Sequence, residues 1–382
     1  MVEGKALLVV DLGNSETRVL TVFGKTQAGE LRYRLSSLDN RFGPLEDDYV
    51  IPEDYTAENT RVFTYDYGRY CVGSLCRREI MADMRPTAIE KKYKSDVTKL
   101  SMIQAFLQGY IDVSNMMQVP VDRVNVEWDV VVLLPPADVA AGAPLIGKMV
   151  RSITNIEFSM PEVEKNIYVK DVRVMPEGFC AYIGVIYDMR RKVRPEYSHL
   201  KKEGTIVFDI GAGTTDICVI EEGKIISATK YTVSLGGNNV HQKVKSMLNA
   251  SGKTFPEGMV QEGVERGYLK SGNTTYPLTK EISKAKNETA RGIVNSVRDF
   301  FESSQYPLEK IENMIVCGGG AIDAHIDGIH PLGEYLVQYM KRLTENITLV
   351  NLPTIAGENG EVDEVSPRVL NVLGAGIASY RD

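Results

Sequence analysis

Two distant stretches of this chain carry one pattern. Residues 6–20 read ALLVVDLGNSETRVL, and residues 205–219 read TIVFDIGAGTTDICV. In each, an apolar run rich in β-branched residues ends in an aspartate (Asp11, Asp209). A short turn of Gly, Asn, Ser or Thr follows, and a second apolar run returns. This pattern predicts strand, turn and strand in both copies. A strand–turn–strand unit that recurs so far along the chain implies two lobes on one plan, each lending a turn to a shared cleft. A length of 382 residues suits two such lobes.

The intervening sequence alternates strand and helix signals. Apolar residues at helical spacing predict a helix over Val97–Val113. The run VNVEWDVVVLL (Val124–Leu134), stopped by Pro135-Pro136, predicts a buried strand. Helices are expected over Ala137–Ile153 and Gly178–Met189, with a strand at Val172–Met175 between them. The basic segment Arg190–Glu203 reads as the connection between lobes. After the second repeat a strand is expected over Ile225–Tyr231, helices over Asn239–Leu248 and Ser283–Phe301, and a strand at Met314–Val316. Pro367–Tyr380 reads as a final helix. Strands alternating with helices argue for an α/β architecture with a partly parallel sheet. Residues 24 to 95 are more polar, carry many turn signals and read as a small inserted subdomain, with a strand at Arg69–Val72.

The turns suggest a chemistry. Small residues let backbone N–H groups and hydroxyls approach an anion without obstruction. Gly13, Asn14 and Ser15 offer one such turn, and Gly211, Ala212, Gly213, Thr214 and Thr215 the other. Two facing turns could hold a polyphosphate. Asp11 and Asp209 end apolar strands, where an unpaired carboxylate is costly. They read either as caps of their own turns or as holders of a hydrated Mg²⁺, which binds through one or two carboxylates together with substrate phosphates; their duplication favours the metal. A third element, MIVCGGGA (Met314–Ala321), runs an apolar strand into Gly318, Gly319 and Gly320, where backbone could approach a flat ring closely. Gly236 and Gly237, before a helix, read equally as a plain turn or as a segment packed near the second phosphate turn.

Composition narrows the alternatives. A net charge of −7 gives no electrostatic reason for the whole molecule to bind nucleic acid, and its short basic runs read as solvated loops. Five scattered cysteines (Cys71, Cys76, Cys180, Cys218, Cys317) lack zinc-ligand spacing and read as small buried apolar residues in a reducing compartment. The N-terminus lacks the pattern of a signal peptide, and no apolar window is long enough for a membrane helix. A cytoplasmic location is the expectation.

These motifs, in this order, resemble the superfamily of actin, sugar-kinase and heat-shock chaperone ATPases. Asp11–Thr17 is similar to its first phosphate motif, Asp209–Asp216 to its second and Val316–Ala321 to its adenosine motif. Val130–Pro136 and Asn371–Ala378 are similar to its two connecting segments. The resemblance implies an actin-like two-lobed fold of duplicated ribonuclease H-like domains around a nucleotide cleft. The lobes would span 1–200, with an insertion at about 30–95, and 201–366, with an insertion at about 228–300. The helix at 367–382 would return to the first lobe. ATP or GTP with Mg²⁺ would lie in the cleft, and Asp11 and Asp209 would hold the metal through water. The family's catalytic carboxylate falls on Glu177 in MPEGF (Met175–Phe179), where the alternative is a favourable acid at a helix start. Its role would be to orient a water for attack on the γ-phosphate, with Asp209 as the second catalytic carboxylate.

Within the superfamily the chain looks most like bacterial plasmid-partition actins of the ParM-like group. That likeness implies self-association into filaments and ATP hydrolysis coupled to polymerisation. It also implies DNA segregation through an adaptor protein at a centromere-like site, without direct DNA or membrane contact. Tyr49, Ile51 and Phe63 in the inserted segment are candidate filament contacts. A small-molecule kinase and a non-polymerising ATP-gated regulator remain as other readings.

Overall fold

The computed structural model describes residues 2–13, 16–79, 84, 91–321, 328–356, 362–364 and 366–381. In the first half, strands run over Val2–Leu12 (β1), Glu16–Lys25 (β2), Leu31–Asp39 (β3), Phe42–Leu45 (β4), Thr60–Tyr65 (β5) and Gly68–Gly73 (β6). Helices Ser74–Glu79 (α1) and Asp96–Met117 (α2) follow, then strand Val124–Leu134 (β7) and helix Val139–Arg151 (α3). Strands Asn155–Met160 (β8), Glu162–Asn166 (β9) and Tyr168–Pro176 (β10) precede helix Phe179–Ile186 (α4).

The second half opens with strands Gly204–Ile210 (β11), Thr215–Glu221 (β12), Lys224–Ile225 (β13) and Tyr231–Val233 (β14). Helices Gly237–Ala250 (α5) and Glu257–Arg266 (α6) lead to the hairpin Tyr268–Ser271 (β15) and Thr274–Pro277 (β16). Helix Thr279–Ser304 (α7), strand Ile311–Cys317 (β17), helix Leu332–Met340 (α8) and strands Thr348–Leu349 (β18), Thr354–Ala356 (β19) and Val362–Glu364 (β20) come next. Helix Leu370–Ser379 (α9) is last.

Both large sheets share one core. The first has the order β10-β7-β1-β2-β3, the second β13-β12-β11-β17-β18 with β14 also on β12. In each, the repeated hairpin is antiparallel (β1/β2, β11/β12), and a later strand joins its first member in parallel (β7 on β1, β17 on β11). Period-2 alternation then divides the side chains between layers. Leu8, Val10, Val130 and Val132 face α2, while Leu7, Val9, Val131 and Leu133 face α4 and α9. In the second sheet Val207, Cys218 and Ile220 join that same middle layer, while Ile206, Phe208, Ile217 and Val219 face α7 and α8. Both faces of each hairpin are thus covered, which is why its strands read as near-continuous apolar runs. All five cysteines are buried free thiols.

A third, antiparallel sheet has the order β4-β6-β5-β8-β9, so it draws on residues well beyond the first polar segment. Phe63 lies at its centre, fully buried against Phe42, Tyr70 and Phe158. Phe63 is therefore core, which removes it as a surface contact; Tyr49 and Ile51 are partly buried beside Leu45 and Tyr55.

Two other differences from the sequence reading have local causes. The strand expected over Ile225–Tyr231 is broken by a turn at Ser227–Thr229. There Thr229 Oγ1 accepts from the Val219 backbone N–H (2.9 Å) and donates to Ile226 O (2.7 Å), taking the place of ladder bonds. The helix expected to reach Met189 stops at Ile186. Arg194 Nη1 donates to the carbonyls of Gly184, Val185 and Tyr187 and satisfies the C-terminal acceptors.

Helices α4 and α9 cross in the middle layer at glycines. A Cβ on Gly374 would lie 1.7 Å from Cys180 O, and one on Gly184 would lie 2.8 Å from Leu370 O. Backbone thus touches backbone, and a methyl has no room. Gly374→Ala is expected to cost about 3 kcal/mol or more through forced separation of the helices. Urea denaturation checks this; an unchanged midpoint would show that the crossing can relax.

Candidate functional site

Asp11 and Asp209 each stand one residue before the end of the first strand of a hairpin, and each is buried. The cross-strand partners differ. Asp11 pairs in register with Arg18, whose Nη1 reaches Asp11 Oδ2 at 3.3 Å. Asp209 pairs with Asp216, a second buried carboxylate. Burial first, then the charges of Asp11 and Asp216, push the Asp209 carboxyl up to about 7, against a hydrogen bond from Asn371 Nδ2 to Asp209 Oδ2 (2.5 Å). Burial also raises Asp216, whose Oδ1 accepts from Thr232 Oγ1.

Glu177 follows β10 directly. Its backbone N–H donates to Leu134 O (2.9 Å), tying it to the end of β7. The side chain is buried, and its Oε1 lies 3.1 Å from Lys92 Nζ. Burial raises the Glu177 carboxyl; Lys92 opposes this, and the charges of Asp11, Asp209 and Asp216 add to it. Burial works against the Lys92 charge, but Glu177, Asp11 and Asp216 outweigh it and hold the ammonium above the usual lysine range.

The second turn is built mainly by backbone hydrogen bonds, with one from a side chain. Gly211 N–H donates to Thr214 O (2.8 Å), and Thr215 Oγ1 donates to Leu235 O (2.7 Å). The first N–H groups of α5, on Gly237 and Asn238, donate to Gly211 O (3.0 Å) and Ala212 O (2.7 Å). The Gly236–Gly237 segment therefore packs on this turn. Gly213 lies between Ala212 and Thr214, partly exposed with them.

The glycine run closes the same region. Gly318 has φ +91°, and a Cβ there would meet Asp209 Oδ1 and Ile210 O, each at 2.4 Å. A Cβ on Gly320 would meet Gly211 O at 2.5 Å, and one on Gly319 would meet Arg18 Nη2 at 2.9 Å. Gly319 thus brings the first hairpin against the end of β17, and the need for glycine here is met by close approach within the chain itself.

In the first turn, Gly13 N–H donates to Asp11 O (3.2 Å) and Gly13 O accepts from Asn40 Nδ2. Asn40 is held in turn by Thr17 and Ser101 hydroxyls. Asn14 and Ser15 lie outside the described residues.

Asp11, Asp209, Glu177, the second turn and the glycine run thus come together. The sequence reading missed four participants. Asp216 and Asn371 were inside the quoted motifs but were given no role. Arg18 follows the first motif directly, and its position opposite Asp11 in a hairpin is readable from the register. Lys92 belongs to the run Lys91-Lys92-Tyr93-Lys94, which carries no signal of its own beyond charge.

The donor set suits a hydrated divalent cation. It offers buried carboxylate oxygens, mutually repelling and poor in neutralising charge, which are the hard ligands Mg²⁺ takes. Among the described residues no three Cys, His, Asp or Glu side chains already converge to chelate an ion directly. The buried Arg18 Nε and Asn371 Oδ1 have no hydrogen-bond partner, so the region also offers an unused donor and acceptor to a polar ligand.

Asp209 yields a pH prediction. Between the ordinary value of 3.8 and about 7 the folded chain binds a proton that the unfolded chain has lost, so its contribution to stability falls as pH rises through that window. Asp209→Asn is expected to stabilise the nucleotide-free chain at roughly pH 8 by on the order of 2–4 kcal/mol, and by almost nothing near pH 4. Urea midpoints at the two pH values decide this; an equal gain at both would contradict it.

Comparison with known proteins bears on the fold. Residues 207–325 match the family model of the archaeal actin homologue MreB-like, C-terminal. Over 195 residues the chain is 25% identical to the actin-like protein MamK of Paramagnetospirillum magneticum. That match covers 44% of this chain and 54% of MamK, so the chain spans about half the length of the curated relative it matches. Among solved structures, the actin-like protein Alp7A aligns over 99% of this chain and 96% of its own, with TM-score 0.68 and 14% identity. A 15-stranded ParM filament from Clostridium botulinum aligns over 97% of both chains, with TM-score 0.64 and 17% identity. A Bacillus thuringiensis ParM with ATP aligns over 90% of this chain and 93% of its own, with TM-score 0.59 and 15% identity. With duplicated hairpins, parallel third strands and a glycine-built seam between them, the chain has the actin-like fold of the ParM structures along nearly its whole length.

Proposed function

We propose that the chain is a nucleotide-dependent, filament-forming actin-like ATPase that moves plasmid DNA through an adaptor protein. The observation that carries this reading is the grouping of Asp11, Asp209 and Glu177 with the second hairpin turn and the glycine run. The ParM filament and the ParM with ATP, similar in fold, support it.

The second turn, backed by α5, and the first turn around Gly13 would take the phosphates of ATP or GTP through backbone N–H groups and the Thr214 hydroxyl; Thr215, fully buried with its hydroxyl bonded to Leu235 O, would brace the turn instead. Arg18 would add a guanidinium beside Asp11. Asn14 and Ser15 would serve in the first turn, and Gly318, Gly319 and Gly320 would face the adenosine. Asp11 and Asp209 would hold Mg²⁺ through water, and the ion when bound would neutralise phosphate charge. Glu177 would accept a hydrogen bond from the attacking water and orient it for in-line displacement, since phosphoryl transfer depends mainly on positioning and charge stabilisation.

Assembly would add subunits head to tail, a heterologous contact that forms a filament when the rotation does not close. The net charge of −7 suits indirect rather than direct contact with DNA. No described helix is long and apolar enough to cross a membrane, and a cytoplasmic site of action is part of the proposal.

Right-angle light scattering across a protein concentration series, with Mg²⁺ and ATP, GTP, ADP or no nucleotide, tests assembly. The expected result is a triphosphate-dependent rise above a critical concentration. Flat traces, with turnover that climbs on adding a small acceptor, would point instead to a small-molecule kinase. Glu177→Gln is expected to lower hydrolysis by roughly 100-fold or more while nucleotide still binds. Hydrolysis at the native rate would remove Glu177 from the mechanism.

A further inference from the structure

The Lys92–Glu177 pair joins segments far apart in sequence, and both side chains are largely out of water, 19% and 7% exposed. Burying an ion pair costs desolvation on both sides, so its persistence here needs geometry that fixes both partners. Glu177 is fixed by its backbone bond to Leu134 O. Lys92 is fixed on both flanks by α3. On one side Lys91 Nζ pairs with Asp138 Oδ1 (2.7 Å), at the start of α3. On the other, the Tyr93 ring lies against Gly142 of α3 so closely that a Cβ there would meet it at 2.8 Å. Thr98 Oγ1 donates to Lys92 O (2.5 Å), binding the segment to the first turn of α2. A lysine side chain is flexible, but its backbone here is held at three points.

The charged groups around Glu177 are Lys92, Asp11, Asp209 and Asp216. Lys92 is the cation among them. Without it, Glu177 would stand buried among three other carboxylates with nothing opposing the uptake of a proton, and a protonated carboxyl is a poorer acceptor for the hydrogen of an attacking water.

We infer that Lys92 is a positioning residue for hydrolysis, its ammonium holding the Glu177 carboxyl group in one place. This rests on the proposed water-orienting role of Glu177. Lys92 acts through Glu177, so its loss should lower turnover and leave nucleotide affinity almost intact.

The test compares Lys92→Met, Lys92→Arg and Asp138→Asn with the native chain, using Mg²⁺ and ATP. Lys92→Met is expected to lose roughly tenfold or more in kcat, with KM and the calorimetric affinity for a non-hydrolysable ATP analogue within about twofold. Lys92→Arg should recover most of the rate, and Asp138→Asn, which frees only one flank, should fall between. Independently of activity, infrared difference spectra of the nucleotide-free chain across a pH series, with the Glu177 band assigned by its loss in Glu177→Gln, should show Glu177 ionising at higher pH in Lys92→Met than in the native chain, because Lys92 opposes the rise. Lys92→Arg should follow the native chain. If Lys92→Met fails to fold, Asp138→Asn and Lys92→Arg carry the same comparison. A rise in KM with unchanged kcat would overturn the inference, because Lys92 would then contact the nucleotide; so would a Glu177 band indifferent to Lys92. Native hydrolysis by Glu177→Gln would defeat the water-orienting reading instead, while the infrared result would still report whether Lys92 controls Glu177.

Discussion

The structure turns on four carboxylates buried at one seam. Asp11, Asp209, Asp216 and Glu177 are each under 8% exposed, and like charges at such depth repel with little screening. Two cations offset them: Arg18 across the hairpin from Asp11, and Lys92 beside Glu177. The balance is incomplete, as the raised Asp209 and Glu177 carboxyls show. A chain that keeps such an arrangement forgoes stability unless something cationic joins it, and the proposed Mg²⁺, brought in with the nucleotide, is the economical partner.

The two repeats solve one packing problem in different ways. In the first hairpin the residue opposite the aspartate is Arg18; in the second it is Asp216. The second copy therefore carries the charge imbalance, and it is also where the backbone is most tightly packed, with Gly318 against Asp209 and with Gly236 and Gly320 against Gly211. The scaffold is repeated, and one register position, Arg18 against Asp216, separates the electrostatics of the two copies.

Much of the fold was legible in sequence because it rests on period-2 and period-3.6 patterns. The hairpins, β7 and α2 are long runs whose faces are fixed by burial on both sides. The small antiparallel sheet was only partly legible: β8 and β9 come from residues 155–166 and meet β5 only through tertiary pairing, which local pattern does not encode. The broken strand after β13 depended on a single threonine hydroxyl substituting for ladder bonds. At the site, Asp11, Asp209 and the glycines could be read because turn chemistry demands them. Lys92 could not, because nothing in a run of lysines says which one a distant segment will bury, and its aim is set by Tyr93 against Gly142.

The central claim is that this seam binds a nucleoside triphosphate with Mg²⁺. Calorimetric titration of the chain with a non-hydrolysable ATP analogue, with and without Mg²⁺, tests it most directly, with Asp11→Asn alongside. The account predicts saturable binding that strengthens with Mg²⁺ and loses that Mg²⁺ dependence in Asp11→Asn. Absence of binding, or binding indifferent to both the ion and Asp11, would contradict it.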